Sequence, residues 1–162
     1  MAVDILLDID GIGGESQIKG FEGQIDVLSW NWGMVQSGTT HLGKGGGGGK
    51  VAVNDITFSK YVDEATPKLI KLCTTGAHKP KATLTVRKAG GDSPVDYLKI
   101  EMNTVMISSY NTGGANDGLD RVQETISLNF AKFTVTYTPQ DESGAGAGAD
   151  PFAFDIAQNT EV

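Results

Sequence analysis

Apolar and polar residues alternate with a period of two along most of this chain, and in four places the alternation changes phase. Val3, Ile5, Leu7 and Ile9 interleave with Asp4, Leu6, Asp8 and Asp10, which predicts a first strand closed by Gly11, Gly13 and Gly14. The next apolar set starts at Ile25 and Val27, then moves to Leu28, Trp30, Trp32 and Met34. Val51 and Val53 give way to Ile56 and Phe58, and Leu98, Ile100 and Met102 give way to Val105 and Ile107. Val122, Ile126, Leu128 and Phe130 give way to Ala131, Phe133, Val135 and Tyr137. A one-residue slip sends every later side chain to the opposite face. A strand that keeps one face inward needs a bulge to absorb that slip. Repeated slips therefore predict a sheet that curls and closes, a β-barrel rather than a flat sandwich.

One segment breaks the rhythm. Thr66 is placed to cap a helix, and Pro67 falls at its first position, where a missing N–H costs nothing. Asp63 and Glu64 lie at the positive end of the dipole, and Leu69, Ile70, Leu72 and Cys73 make an apolar stripe. Gly76 supplies a left-handed stop. A helix this short holds only when packed, so it is expected to plug or flank the barrel. Ala82, Leu84 and Val86 continue as strand and turn at Gly90-Gly91-Asp92 into a strand from Val95. A polar loop runs from Gly113 to Gly118, and a glycine-alanine linker after Pro139 leads to Phe152, Phe154 and Ile156, a last strand. No internal repeat or second domain is apparent, which predicts one domain over residues 1–162.

Between the strand carrying Trp30 and Trp32 and the strand resuming at Val51 lies a loop with seven glycines from Gly38 to Gly49, five of them consecutive. Such a run buries nothing and loses much backbone entropy on ordering. It suits a tether, or an arm that orders against another surface. Ser37, Gly38, His41, Leu42, Lys44, Gly45, Gly46, Gly47, Gly48, Gly49 and Lys50 are the residues expected to form that arm.

The chain has 162 residues, 20 acidic against 13 basic, for a formal charge of −7. The basic residues are scattered and form no stripe that would release counterions from a phosphate backbone, so nucleic acid is not an expected partner. No apolar run reaches membrane-spanning length. The start, MAVDILLDIDG, lacks the features of a Sec-type signal. The single Cys73 cannot make an intrachain disulfide.

The motifs that suggest chemistry fail on their details. GTTHLGKG, from Gly38 to Gly45, has glycine where a phosphate-binding loop needs a magnesium-holding hydroxyl, and the glycines that follow forbid the helix. DIDGIGGE lacks the third ligand and closing glutamate of a calcium loop, and the helix of a dinucleotide site. His41 and His78 have no metal-ligand neighbours at suitable spacing, and no G-x-S-x-G elbow exists. Cys73 sits on the apolar stripe as a small hydrophobe. No catalytic, cofactor or metal site is expected. Opposite the core-facing tryptophans, however, Ser29, Asn31, Gly33 and Gln36 form a polar, uncharged strip on a strand that should be central.

Six segments, IDVLSWNWGM with the glycine arm, ITFSKYVDEATPKLIKLC, GAHKPKATLTVRKAGG, ISLNFAKFTVTY and the closing FDIAQN, in this order, make the chain similar to the haemolysin-coregulated protein family. The resemblance spans nearly the whole chain. It implies a mainly β fold, a two-sheet antiparallel β-barrel with one short α-helix and an extended glycine-rich loop. It implies the inner tube of the type VI secretion system, with six copies forming a ring and rings stacking around a channel. The implied partners are other copies of the chain, a spike protein at the tip, a contractile sheath and effector proteins in the lumen. Synthesis in the cytoplasm and export without a cleaved signal are implied too. On this view Ser29, Asn31 and Gly33 face the lumen and the arm joins subunits or rings. The alternatives are a phage-like tail tube subunit and, from another class, a monomeric β-barrel that binds a ligand or peptide in an apolar pocket near the tryptophans.

Overall fold

The computed structural model describes residues 3–38, 41, 48–88, 94–117, 121–143 and 146–162. Its elements are β1 (Val3–Ile9), β2 (Ile25–Asp26), β3 (Ser29–Asn31), β4 (Met34–Val35), β5 (Ala52–Val53), β6 (Ile56–Tyr61), α1 (Thr66–Thr75), β7 (Lys79–Lys88), β8 (Val95–Gly113), β9 (Gln123–Tyr137), β10 (Asp150–Asp155) and β11 (Thr160–Glu161). The fold is mainly β with one short helix. Among the described residues all strand pairings are antiparallel: one sheet runs β11-β10-β9-β8-β7-β1-β2, with β6 joining β9 and β3 joining β6, and β4 and β5 form a second, two-stranded sheet.

β8 and β9, the two longest strands, are paired along most of their length. The other edge of β9 is divided: Gln123 to Leu128 pairs with β6, and Lys132 to Tyr137 pairs with β10. The segment from Ile25 to Asn31 makes a similar handover. Val27 N–H donates to Ile5 O at 3.0 Å, the next residue Leu28 donates to Ser59 O at 2.8 Å, and β3 continues along β6. The phase change expected at Val27–Leu28 is therefore a change of partner.

The slips in β8 and β9 have a different cause from the expected bulge. Met102 and Val105 are both buried, as are Phe130 and Phe133, yet the β8–β9 register is the same on either side. Both strands slip together, at facing positions. Thr104 takes φ 55°, a left-handed conformation uncommon for a residue with a branched side chain, and facing it Ala131 leaves the β8 ladder while its carbonyl accepts from Ile156 N at 3.0 Å. Register irregularities do occur, opposite Val86–Arg87 and between Ile107 and Ser109.

The core collects Leu7, Ile9, Ile25, Phe58, Leu69, Leu84, Ile100, Met102, Ile126, Leu128 and Phe133, with Trp30 and Trp32 partly buried against it. Trp32 Nε1 donates to Asn54 O at 2.9 Å, and its ring meets Phe133 edge-on at 4.9 Å. Not every expected core residue is inside. Leu28, Met34 and Val122 are exposed, because they lie outside or at the ends of the strands whose phase they share. Ile70 is also exposed, so the helix buries the narrower stripe of Leu69 and Leu72.

The helix is held by a buried polar cluster. Thr66 stands one position past the N-cap residue, Ala65, and does not cap it with its own side chain. Its hydroxyl accepts from Asp63 N at 3.1 Å and donates to Glu124 Oε1 at 2.8 Å. Lys60 Nζ lies 2.5 Å from Glu124 Oε1 and 2.7 Å from Asp63 Oδ1, and donates to Tyr61 O at 3.0 Å. Tyr110 donates to Glu124 Oε2 at 2.5 Å. Burial, and then the hydrogen bond to Glu124 and its charge, push the Tyr110 phenol up to about 12, so it remains a donor. The cluster ties α1 to β6, β8 and β9. Gly76 ends the helix at φ 67°, its N–H reaching Leu72 O at 3.0 Å.

Removing one member of a buried pair strands the other in low dielectric. Lys60→Met is expected to cost about 3 kcal/mol of stability, measured by chemical denaturation. The double variant Lys60→Met/Glu124→Leu should recover most of that loss, since no lone charge remains.

Candidate assembly surfaces

Strand alternation carries the residues opposite the core onto one continuous face of β3, β6, the first half of β9 and the last third of β8. Ser29 pairs with Ser59, Ser59 with Thr125, and Thr125 with Asn111. Asn31 pairs with Thr57, Thr57 with Ser127, and Ser127 with Ser109. These two rows hold eight small polar side chains and no charge. Ser29 and Ser59 share a hydroxyl hydrogen bond at 2.6 Å, and Thr57 and Ser127 one at 2.9 Å.

Charges appear only at the margins of this face. Asp55, just before β6, accepts from Ser108 Oγ at 2.5 Å and Asn129 Nδ2 at 2.8 Å. The irregularity at Ile107–Ser109 is what brings Ser108 to that carboxylate. At the opposite margin Tyr61 carries the Arg121 guanidinium 3.9 Å above its ring. The far side of the molecule differs in kind. On β1, β7 and β8 the outward positions hold Asp4, Asp8, Lys81, Asp96, Lys99 and Glu101, with Lys81 3.0 Å from Glu101, while Arg87 is buried over the Phe21 ring.

Of the four strip residues expected from sequence, Ser29 and Asn31 lie in the rows and are exposed, while Gln36 is exposed beyond β4 and lines the groove at the foot of the arm. Gly33 lies beyond the end of β3, half-buried, its carbonyl accepting from Asn54 N at 3.0 Å. Sequence reasoning missed the partners on β6, β8 and β9. The signal was partly present in the same alternation, since Thr57 lies between Ile56 and Phe58, and Ser127 between Ile126 and Leu128.

The arm leaves the body as a β-ribbon. Met34 pairs with Val53 and Val35 with Ala52, and an isolated bridge joins Gly38 to Gly48. Gly49 N–H donates to Ser37 O at 3.4 Å. Ser37, Gly38, His41, Gly48, Gly49 and Lys50 are all exposed. Leu42, Lys44, Gly45, Gly46 and Gly47 lie outside the described residues.

At the foot of this ribbon is an open apolar groove of about 310 Å³, lined by Met34, Val51, Val53, Phe133, Phe152 and Phe154 with a few polar residues. Phe152 and Phe154 stack at 6.4 Å, and Met34 and Phe152 are each 46% exposed. A contiguous exposed apolar patch of this kind, rimmed by polar residues, is the mark of an interaction surface or a ligand groove. Among the described residues, no three His, Cys, Asp or Glu side chains form a group that could hold a metal. No helix among them is long and apolar enough to cross a membrane.

Known proteins share this architecture. The family described as "Type VI secretion system effector, Hcp" matches residues 6–137. The chain is 48% identical over 163 aligned positions to protein hcp1 of Pseudomonas aeruginosa, with all of both chains covered. A solved type six secretion system protein superposes with a TM-score of 0.93 at 29% identity, covering 99% of this chain and 100% of that one. Hcp1 from Salmonella typhimurium superposes with a TM-score of 0.82 at 36% identity, with both chains covered in full. The chain therefore belongs to the haemolysin-coregulated protein (Hcp) family and is a secreted, structural, non-enzymatic tube protein of the type VI secretion system.

Proposed function

We propose that six copies close into a ring whose channel is lined by the neutral face of β3, β6, β9 and β8. The observation that carries this reading is the pair of uncharged rows across four strands, on a molecule whose other sheet face is densely charged. Hydroxyl and amide groups keep a channel wetted without attracting or repelling a passing protein through long-range charge. Two free edges support ring closure. Among the described residues, β3 pairs with nothing beyond β6, and β8 from Met106 to Gly113 pairs with nothing on the side away from β9. An exposed edge on a monomer invites pairing, and a rotation that closes turns the pairing into a ring.

Within each copy the wall is a two-sheet β-barrel. The handover at Val27–Leu28 and the paired slip at Thr104 and Ala131 support that description. The arm from Ser37 to Lys50 extends from one ring to its neighbour, where glycine lets backbone approach backbone. The partners are then other copies, a spike protein at the tip, a sheath around the charged exterior and effectors in the lumen. Export proceeds with the tube, without a cleaved signal. A monomeric binding module would use the groove beside Phe133 as its ligand site, and oligomeric state separates the two.

Native mass spectrometry with negative-stain microscopy is expected to show hexamers as six-fold rings; a monomer at all concentrations would overturn the ring. Deleting Gly45 to Gly49 should leave a folded ring that no longer stacks, and tubes of normal length would contradict the role given to the arm. Asn31→Arg should preserve rings but reduce effector recovery at least severalfold. Unchanged recovery would remove Asn31 from the lumen.

A further inference from the structure

The uncharged face ends, on one side, in a row that carries a charge. Asp55, two residues before Thr57, and Asn129, two residues after Ser127, continue the alternation of β6 and β9, and the irregularity in β8 brings Ser108 to the same level. Asn129 Nδ2 donates to one oxygen of the Asp55 carboxylate and Ser108 Oγ to the other. Both donors are neutral, so they orient the carboxylate without cancelling its charge. Among the described residues no cationic side chain pairs with Asp55. At the opposite margin Arg121 shares a pocket with Asp117, so both signs are present there. Among the described residues, Asp55 is thus the unbalanced charge bordering the neutral rows.

We propose that Asp55 sets which cargo the lumen accepts, and that the cargo it favours is a protein bearing a patch of Lys or Arg. Six copies place six carboxylates at one level of the channel wall, a collar with no cation of its own. A water-filled passage between low-dielectric walls concentrates the field of charges of one sign. A basic patch entering the collar supplies the missing counter-charge, whereas an acidic patch meets six like charges. Screening limits the attraction to about 8 Å at physiological ionic strength, so it acts on cargo inside the channel rather than steering it from afar. Beyond the collar the hydroxyl and amide rows carry no charge, and cargo slides along them. The collar therefore holds, and the rows release. This inference rests on the lumen reading and adds a cargo class to it.

The test uses the assembled full chain with Cys73→Ser and Ser127→Cys, which puts one thiol in the row next to Asp55. A trimethylammonium and a sulfonate methanethiosulfonate reagent report the local potential through their relative rates. At low ionic strength the preference for the cationic reagent is expected to exceed that of the denatured chain at least tenfold, and to collapse in high salt. Asp55→Asn, which keeps the shape and one acceptor oxygen, should remove most of it. A Lys-Gly repeat peptide should also slow the thiol's reaction with a small maleimide, and a Glu-Gly repeat should not. No preference for the cationic reagent, a preference that survives high salt or Asp55→Asn, or equal slowing by the two peptides would overturn the cargo class alone. A Cys73→Ser parent that forms no six-fold rings would overturn the lumen reading, and the collar with it.

Discussion

The architecture depends on a constraint shared by β8 and β9, which must change face at the same point. Had only one strand slipped, every pair beyond would have set a buried residue against an exposed one. At left-handed Thr104 and the facing Ala131, which form no ladder pair, both strands roll over together with their register kept. On one side of that point the sheet shows a charged exterior on β1, β7 and β8. On the other, the same two strands show the uncharged rows. One local backbone feature thus gives a single chain two chemically distinct surfaces.

The second half of the sheet also has to be held against the helix, and here the fold uses charge. Lys60 and Glu124 occupy inward positions of β6 and β9 that apolar side chains could have filled. Thr66, Asp63 and Tyr110 complete their hydrogen bonds, so the pair is compensated rather than merely buried. Such a cluster fixes one position of α1 where an apolar contact would tolerate several. The neutral rows lie on the reverse side of those same strands.

Much of this was legible in the amino-acid sequence, because strands write their burial in a period of two. All four phase changes fall where the structure breaks, hands over or rolls a strand, and Gly76 ends the helix as its position indicated. What alternation could not reveal is the means. A slip absorbed by a bulge and one shared by two strands leave the same trace in one strand. The polar cluster was half visible: Lys60 shares the phase of Ile56 and Phe58, and Glu124 that of Ile126 and Leu128. Pairing them required knowing that β6 and β9 are neighbours. Val122, Met34 and Leu28 were assigned inward by phase alone, and phase has no authority past the end of a strand. The exposed apolar groove was invisible for the same reason, since it joins the arm, β9 and β10 across distant parts of the chain.

The central claim is that the uncharged face becomes an enclosed surface when copies assemble. Accessibility of a thiol placed within the rows tests it most directly, using Ser127→Cys on a Cys73→Ser background. In the assembled protein a small maleimide should label that thiol fully, while a maleimide carrying a bulky polymer should react far more slowly than it does with the denatured chain. Equal reaction of both reagents with the assembled protein would put the rows on the outside and contradict the account.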